Sequence, residues 1–176
     1  RARIDSSGNF MLGTTSSSPT SGNYFINGTN AGHLIGHANG TSSGTSYVVF
    51  YYNGTAIADI AQSGTNAVAY NTSSDYRLKE NVQPMQNALA KVAQLNPVTY
   101  NWKADGSDGQ GFIAHELQAV VPDCVTGEKD AVDSEGKPVY QGVDTSFLVA
   151  TLTKAIQEQQ AQINQLTQRL AALEGK

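Results

Sequence analysis

From Val149 to Leu173 apolar residues recur in strict 3–4 alternation: Val149, Leu152, Ile156, Ile163, Leu166, Leu170 and Leu173, with Gln159 filling the one polar place in the series. From Ser146 onward there is no proline, and no glycine before Gly175, so the pattern predicts one continuous helix. About 28 residues at ~1.5 Å each make a rod of roughly 42 Å. A stripe of two apolar positions in seven is narrower than the face a helix uses against its own domain, and predicts a self-associating coiled-coil seam. Val and Ile at the first core position with Leu at the second lean towards a dimer, but Leu170 breaks that order and Gln159 adds a polar layer. The seam predicts an oligomer without fixing its number.

Upstream of the rod the periodicity changes. Met85, Leu89, Val92 and Leu95 at helical spacing predict a helix over 82–95, stopped by Asn96-Pro97. Val98-Thr99-Tyr100-Asn101-Trp102 alternates as a strand does, and Gly111-Phe112-Ile113-Ala114 suggests another. Glu116 to Val121 predicts a short helix closed by Pro122, and Val139 to Val143 a last strand. Asp144 or Thr145 is then placed to cap the long helix.

Residues 1–73 read differently again. Short runs such as Tyr24-Phe25-Ile26, His33-Leu34-Ile35 and Tyr47-Val48-Val49-Phe50-Tyr51-Tyr52 alternate with Gly, Asn, Ser and Thr. Asn-Gly-Thr recurs at Asn27, Asn39 and Asn53, and Asn-Gly accepts the positive φ angles of tight hairpins. The segment therefore predicts short strands whose missing core comes from neighbouring copies. These Asn-Gly-Thr sites and Asn71-Thr72-Ser73 also fit the glycosylation acceptor pattern, but turn chemistry accounts for them better. His33 and His37 have metal-ligand spacing only on a helix, which Gly32, Gly36 and Gly40 oppose; they are taken as ordinary polar side chains, and no metal is expected.

Composition sharpens the division. Residues 1–73 hold four charged side chains and ten of the 17 glycines, whereas 74–176 hold the other 22 charges. The net charge of −4 gives no electrostatic reason to expect nucleic acid or an anionic membrane surface. No apolar run approaches the ~18 residues of a membrane span, so no membrane insertion is expected. Arg1 to Phe10 lack the apolar stretch of a signal peptide, and an opening on Arg suggests a piece of a longer chain. The single cysteine, Cys124, excludes an intrachain disulfide and is expected to be buried and structural.

Ser74-Asp75-Tyr76-Arg77-Leu78-Lys79-Glu80-Asn81-Val82 resembles the start of the endosialidase-type intramolecular chaperone domain found at the C-termini of phage tail fibres, tailspikes and neck appendages. Three later stretches fall in that family's order: Leu95 to Trp102, Gly111 to Leu117 and Val143 to Leu148. The resemblance covers 74–176. It implies an α+β chain: a β-rich, intertwined fibre end at 1–73, a small α/β chaperone and autoprotease domain at 74–145, and a coiled-coil trimerisation helix at 146–176. It also implies a homotrimer, no cofactor, and self-cleavage between Ser73 and Ser74 with Ser74 as nucleophile and Lys79 as base. The mature fibre would sit in the virion tail after assembly in the host cytoplasm and meet a host receptor or glycan, with the chaperone fragment released.

The chemistry constrains that expectation. A serine hydroxyl needs a neighbour to take its proton, and a lysine does so only when neutral, which for the ordinary ~10.4 side chain costs roughly 4 kcal/mol near neutral pH. Burial or a nearby cation such as Arg77 would lower that cost, so trimer packing is a natural trigger. Five residues span about 140° of a helix and opposite faces of a strand, so Ser74 and Lys79 need a turn between them, or partners in two subunits. Asp75 and Glu80 are candidates to orient Lys79. His115-Glu116 is a weaker candidate pair, because Glu116 also fits the first turn of a helix as a dipole-favoured acid. Two other functions stay open: a non-cleaving trimerisation cap, and a receptor-binding tip in residues 1–73.

Overall fold

The computed structural model describes residues 2–4, 6, 10–12, 22–26 and 32–175, and the chain divides into two compact units, Arg1–Asn81 and Val82–Lys176. The first unit carries two antiparallel meanders. Strands β1 (Ala2–Ile4), β2 (Phe10–Leu12), β3 (Gly22–Ile26) and β4 (Gly32–Gly36) lie in sequence order in one sheet. Strands β5 (Ser46–Tyr52), β6 (Thr55–Ser63) and β7 (Ala67–Thr72) do the same in a second.

The expected turn chemistry is visible where residues are described. Tyr52 pairs with Thr55, leaving Asn53 and Gly54 as a two-residue loop with φ of 46° and 77°. Both central residues of a type I′ turn need positive φ, and Asn-Gly accepts it most readily. Asn39 and Gly40 (φ 83°) form a second turn, in which Thr41 N–H donates to Ala38 O at 3.2 Å. The Asn27 turn and the His33 side chain lie outside the described residues. His37 stacks on Tyr47 with ring centroids 4.0 Å apart, and its ring nitrogens face Gln62 Oε1 at 3.0 Å and Ser46 O at 3.2 Å. It is a structural side chain that ties the end of β4 to the following hairpin.

In the second unit the chain forms small elements around one helix. Helix α1 spans Ala88–Val92 only, shorter than the 82–95 that the apolar spacing predicts. Pro84 and Asn87, at φ 59°, interrupt the pattern before a helix can propagate through it. Strand β8 (Val98–Asn101) pairs with β9 (Asp108–Gly111), where Tyr100 faces Gly109. A Cβ on Gly109 would come within 2.5 Å of the Tyr100 ring, so any larger residue there has to displace that ring. The stretch expected as a strand from Gly111 to Ala114 instead ends β9 and opens helix α2 (Ala114–Val120). The last predicted strand shrinks to β11 (Gly142–Val143), paired with β10 (Val125–Thr126).

Helix α3 runs from Leu148 to Glu174. Asp144 prepares its start by accepting from Ser146 N–H at 2.9 Å, capping a 3₁₀ turn at Thr145–Phe147. The core of the unit is Leu117, Val121, Cys124, Val125 and Leu148, with Leu95, Phe112, Ala114 and Val120 against it. Burial first, then the Asp144 and Asp123 carboxylates, push the Cys124 thiol up from its ordinary value, as suits an inert structural cysteine.

Two adjacent stripes divide the surface of α3. Leu148, Thr151 and Ala155 are buried, and Glu158 Oε2 accepts from Leu89 N–H at 2.8 Å, so this stripe faces its own domain and α1. Asn87 supplies no side-chain cap to α1, and Glu158 fills that role from another helix. One residue further round lies the heptad series, which is exposed: Ile156 at 65%, Leu166 at 61% and Leu173 at 71%.

Leu117 is 1% exposed at the centre of this core. Leu117→Ala is expected to cost about 2–5 kcal/mol of stability through lost contact and a residual cavity. Denaturant unfolding of the assembled protein, at matched concentration, checks it.

Candidate functional site

Strand β7 ends at Thr72, and the chain then turns through a short 3₁₀ segment at Tyr76–Leu78. Asp75 caps that segment, accepting from Arg77 N–H at 2.8 Å. Lys79 N–H closes it on Tyr76 O at 3.1 Å. The 3₁₀ turn reverses the path within three residues, and Ser74 and Lys79 lie on its two flanks, outside the turn itself. Lys79 Nζ lies 2.6 Å from Ser74 Oγ.

The neighbouring charges are arranged around the turn. Arg77 Nε and Nη2 donate to the two Asp75 oxygens, each at 2.9 Å, in a fork. The Arg77 side chain first, then its backbone N–H, then the Lys79 charge hold the Asp75 carboxyl below its ordinary range, against a smaller desolvation effect. Arg77 is thus matched by Asp75 rather than standing as a free cation beside Lys79. An exposed pair of this kind adds little stability, so its consequence is geometric: it fixes the turn. Glu80 is exposed and has no hydrogen-bond or ion-pair partner among the described residues. Ser73, Ser74 and Lys79 are exposed as well.

His115 and Glu116 belong to the other compact unit. Glu116 sits in the first turn of α2 and accepts from Asn96 Nδ2 at 2.9 Å. His115 is exposed at the edge of an open recess shared with Tyr100, Trp102 and Tyr140. Of the residues singled out from sequence, the structure therefore brings together Ser74 with Lys79 and Asp75 with Arg77.

Residues 74–126 match the model of the family described as chaperone of endosialidase. This segment is similar to that family. The match begins at Ser74, so the Ser74–Lys79 turn opens the matched segment, and the Val143–Leu148 motif and α3 lie beyond its end. Two long tail fiber proteins Gp37, of Enterobacteria phages K3 and T2, are each 35% identical to this chain over 103 residues, covering 55% of it and 8% and 7% of their own lengths. The long tail fiber protein Gp37 of Salmonella phage S16 is 29% identical over 111 residues, or 58% of this chain and 14% of its own. The chain thus spans a small fraction of the relatives that it matches.

A depressed carboxyl stabilises the turn at pH above the ordinary aspartate value and loses that contribution as pH falls through the lower, folded one. The Arg77 Hε resonance, followed through an acid titration, is expected to shift with a midpoint below the ordinary aspartate value of 3.8.

Proposed function

We propose that this chain is the C-terminal part of a phage tail fibre or tailspike, whose chaperone segment assembles it as a homotrimer and then cuts the Ser73–Ser74 bond. The 2.6 Å approach of Lys79 Nζ to Ser74 Oγ carries this reading. The fibre relatives named above, and a family match beginning at Ser74, support it. The virion tail is then the location of the fibre, and its partners are two further copies of itself and a host receptor or glycan. The chaperone fragment leaves after cleavage.

The reaction is an acyl shift followed by hydrolysis. Ser74 Oγ adds to the Ser73 carbonyl carbon through a five-membered ring, while Lys79 takes the hydroxyl proton. Collapse breaks the Ser73 C–N bond, Lys79 returns the proton to the departing Ser74 amine, and an ester links the two residues. Water then hydrolyses the ester, leaving a Ser73 carboxylate and a fragment that begins at Ser74 with its hydroxyl restored. In the resting chain the lysine ammonium donates to the hydroxyl; for the first step it must be neutral and accept. Lys79 is exposed in the single chain, and burial on assembly favours the neutral amine. Folding would then start the chemistry.

The seam of α3 supports assembly. From residue 159 to 175 the helix is exposed all round, yet it repeats apolar residues at heptad spacing. An isolated stretch of that length gains its helix chiefly from packing, and two further copies supply it. A receptor-binding tip within 1–73 draws on one observation, the exposed Tyr51, Tyr52 and Tyr70 on the β5–β7 sheet.

Ser74→Ala and Lys79→Met are each expected to leave an assembled, full-length chain, with cleavage slowed by about 10²- to 10⁴-fold for the lysine. Denaturing gels and the intact mass read this, and a wild-type fragment spanning residues 74–176 should begin at Ser74. Cleavage of Ser74→Ala at the same bond would remove Ser74 as nucleophile, and a wild-type chain that stays whole for days would leave a non-cleaving cap. Ile163→Glu with Leu166→Glu is expected to abolish the oligomer in sedimentation equilibrium and, with it, cleavage.

A further inference from the structure

The Ser73–Ser74 bond is held from its carbonyl side by a sheet. Ser73 N–H donates to Ile57 O at 2.9 Å and Ser73 Oγ to Ala56 O at 3.3 Å, so the β6–β7 ladder continues past the end of β7 to the proposed cut. Two residues earlier, Asn71 stands directly opposite Asp59, and its Nδ2 donates to Asp59 Oδ1 at 2.9 Å. The other carboxylate oxygen, Oδ2, accepts from Ser46 Oγ on β5. One side chain thus ties all three strands together, beside Ser73 in the same shallow recess of about 390 Å³.

Two features make this row more than routine sheet decoration. Asp59 is the only charged residue between Asp5 and Asp75. In a segment otherwise free of charge, it stands across the strand from the last residues before the cut. Ser46 reaches it through a β-bulge: Val48 pairs with Ile60, yet Ser46, not Tyr47, pairs with Ala61. Without the bulge the Tyr47 ring would occupy the Ser46 place, and bulges commonly re-aim a side chain in this way. The hydrogen bonds from Ser46 and then Asn71 hold the Asp59 carboxyl below its ordinary range, so it stays an acceptor for both donors near neutral pH.

We propose that Asp59 is a positioning residue for the cleavage: by clamping β5 and β7 through Ser46 and Asn71, it fixes the Ser73 carbonyl where Ser74 Oγ can add to it. This rests on the Ser74–Lys79 reading above. Attack on an adjacent carbonyl closes a five-membered ring, which demands a narrow range of φ and χ1 at Ser74, and so a fixed relation between the Ser73 carbonyl and the turn that follows it. A strand end free to swing visits that range rarely, and misplacement by about 1 Å can cost on the order of 100-fold in rate. Cleavage would then report that the last sheet of the fibre, as well as the chaperone, has folded.

The test compares three variants of the full-length chain. Asp59→Ala removes both links and Asn71→Ala removes one. Asp59→Asn keeps both, since its amide oxygen accepts from Asn71 and its nitrogen donates to Ser46, whose hydroxyl turns to accept. Assembly is checked by sedimentation, and the uncut fraction is followed with time on denaturing gels. Among assembled chains, Asp59→Ala is expected to cut about 10- to 100-fold more slowly than wild type, Asn71→Ala in between, and Asp59→Asn within about threefold. Wild-type rates in assembled Asp59→Ala and Asn71→Ala overturn the proposal. So does an Asp59→Asn as slow as Asp59→Ala, because that variant keeps both links and the proposal rests on the links rather than on the charge. If Asp59→Ala fails to assemble, Asn71→Ala decides by the same rate criterion. Ser74→Ala run alongside separates the two ideas: its cleavage sinks the Ser–Lys reading, whereas an inert Ser74→Ala beside a fast Asp59→Ala removes the Asp59 assignment alone.

Discussion

The constraint on which the rest depends is how little apolar surface one copy of this chain hides. The buried cluster of the second unit is Leu117, Val121, Cys124, Val125 and Leu148, while seven apolar seam residues of α3 stay exposed. The β5–β7 sheet has the same imbalance, since Phe50, Val68 and Tyr70 remain open to solvent together with Val49, Tyr51 and Ile57. Contiguous apolar surface of this kind is an interaction surface in a soluble protein. In the proposed trimer, burial between copies would supply what the single copy lacks, and folding and assembly would draw on the same free energy.

That coupling gives the Ser74–Lys79 contact its meaning. In one copy the two side chains are in contact but exposed. For the proposed cleavage contact alone does not suffice, and what assembly would add is removal of water. The Asp75–Arg77 fork serves a different end: it neutralises Arg77 and stiffens the 3₁₀ turn, so the contact between Ser74 and Lys79 is set before any partner arrives. In the proposed reaction the turn supplies geometry and assembly would supply timing.

The sequence was most legible where a pattern is long or its chemistry local. The heptads announced α3 and Asn53-Gly54 announced its hairpin, whereas of the two expected cap residues Asp144 caps the 3₁₀ turn before α3 and neither caps α3 itself. It was misleading where a short apolar spacing met backbone restrictions. Met85 to Leu95 has helical period, yet Pro84 and the left-handed Asn87 leave only Ala88–Val92 helical. The site divides in the same way. Ser74 and Lys79 stood out through their flanking motif, because a serine and a lysine five apart are common by chance. The fork of Asp75 onto Arg77 and the clamp of Asp59 on Ser46 and Asn71 were invisible. Each depends on a turn or a bulge that brings together groups with no periodic signal.

The two stripes of α3 also limit how a bundle can be built. Glu158 is anchored to the Leu89 amide, and Gln159, the polar layer of the seam, is the next residue. Successive residues differ by about 100° around a helix, so the domain-facing stripe and the seam are separated by that angle. With its own domain on one stripe, the helix can meet partners only along the other, and α1 is held off to the side of the bundle. Beyond Glu158 no residue of α3 is buried, so from there the whole rod is open to the proposed partner copies. In such a bundle the first turns of the helix would set the rotation of each domain about the axis, and the later heptads would set the register. Gln159 lies where these two tasks meet. A polar side chain there gives up some apolar burial and, as single polar core residues do in other coiled coils, penalises any alignment that leaves it facing Leu or Ile.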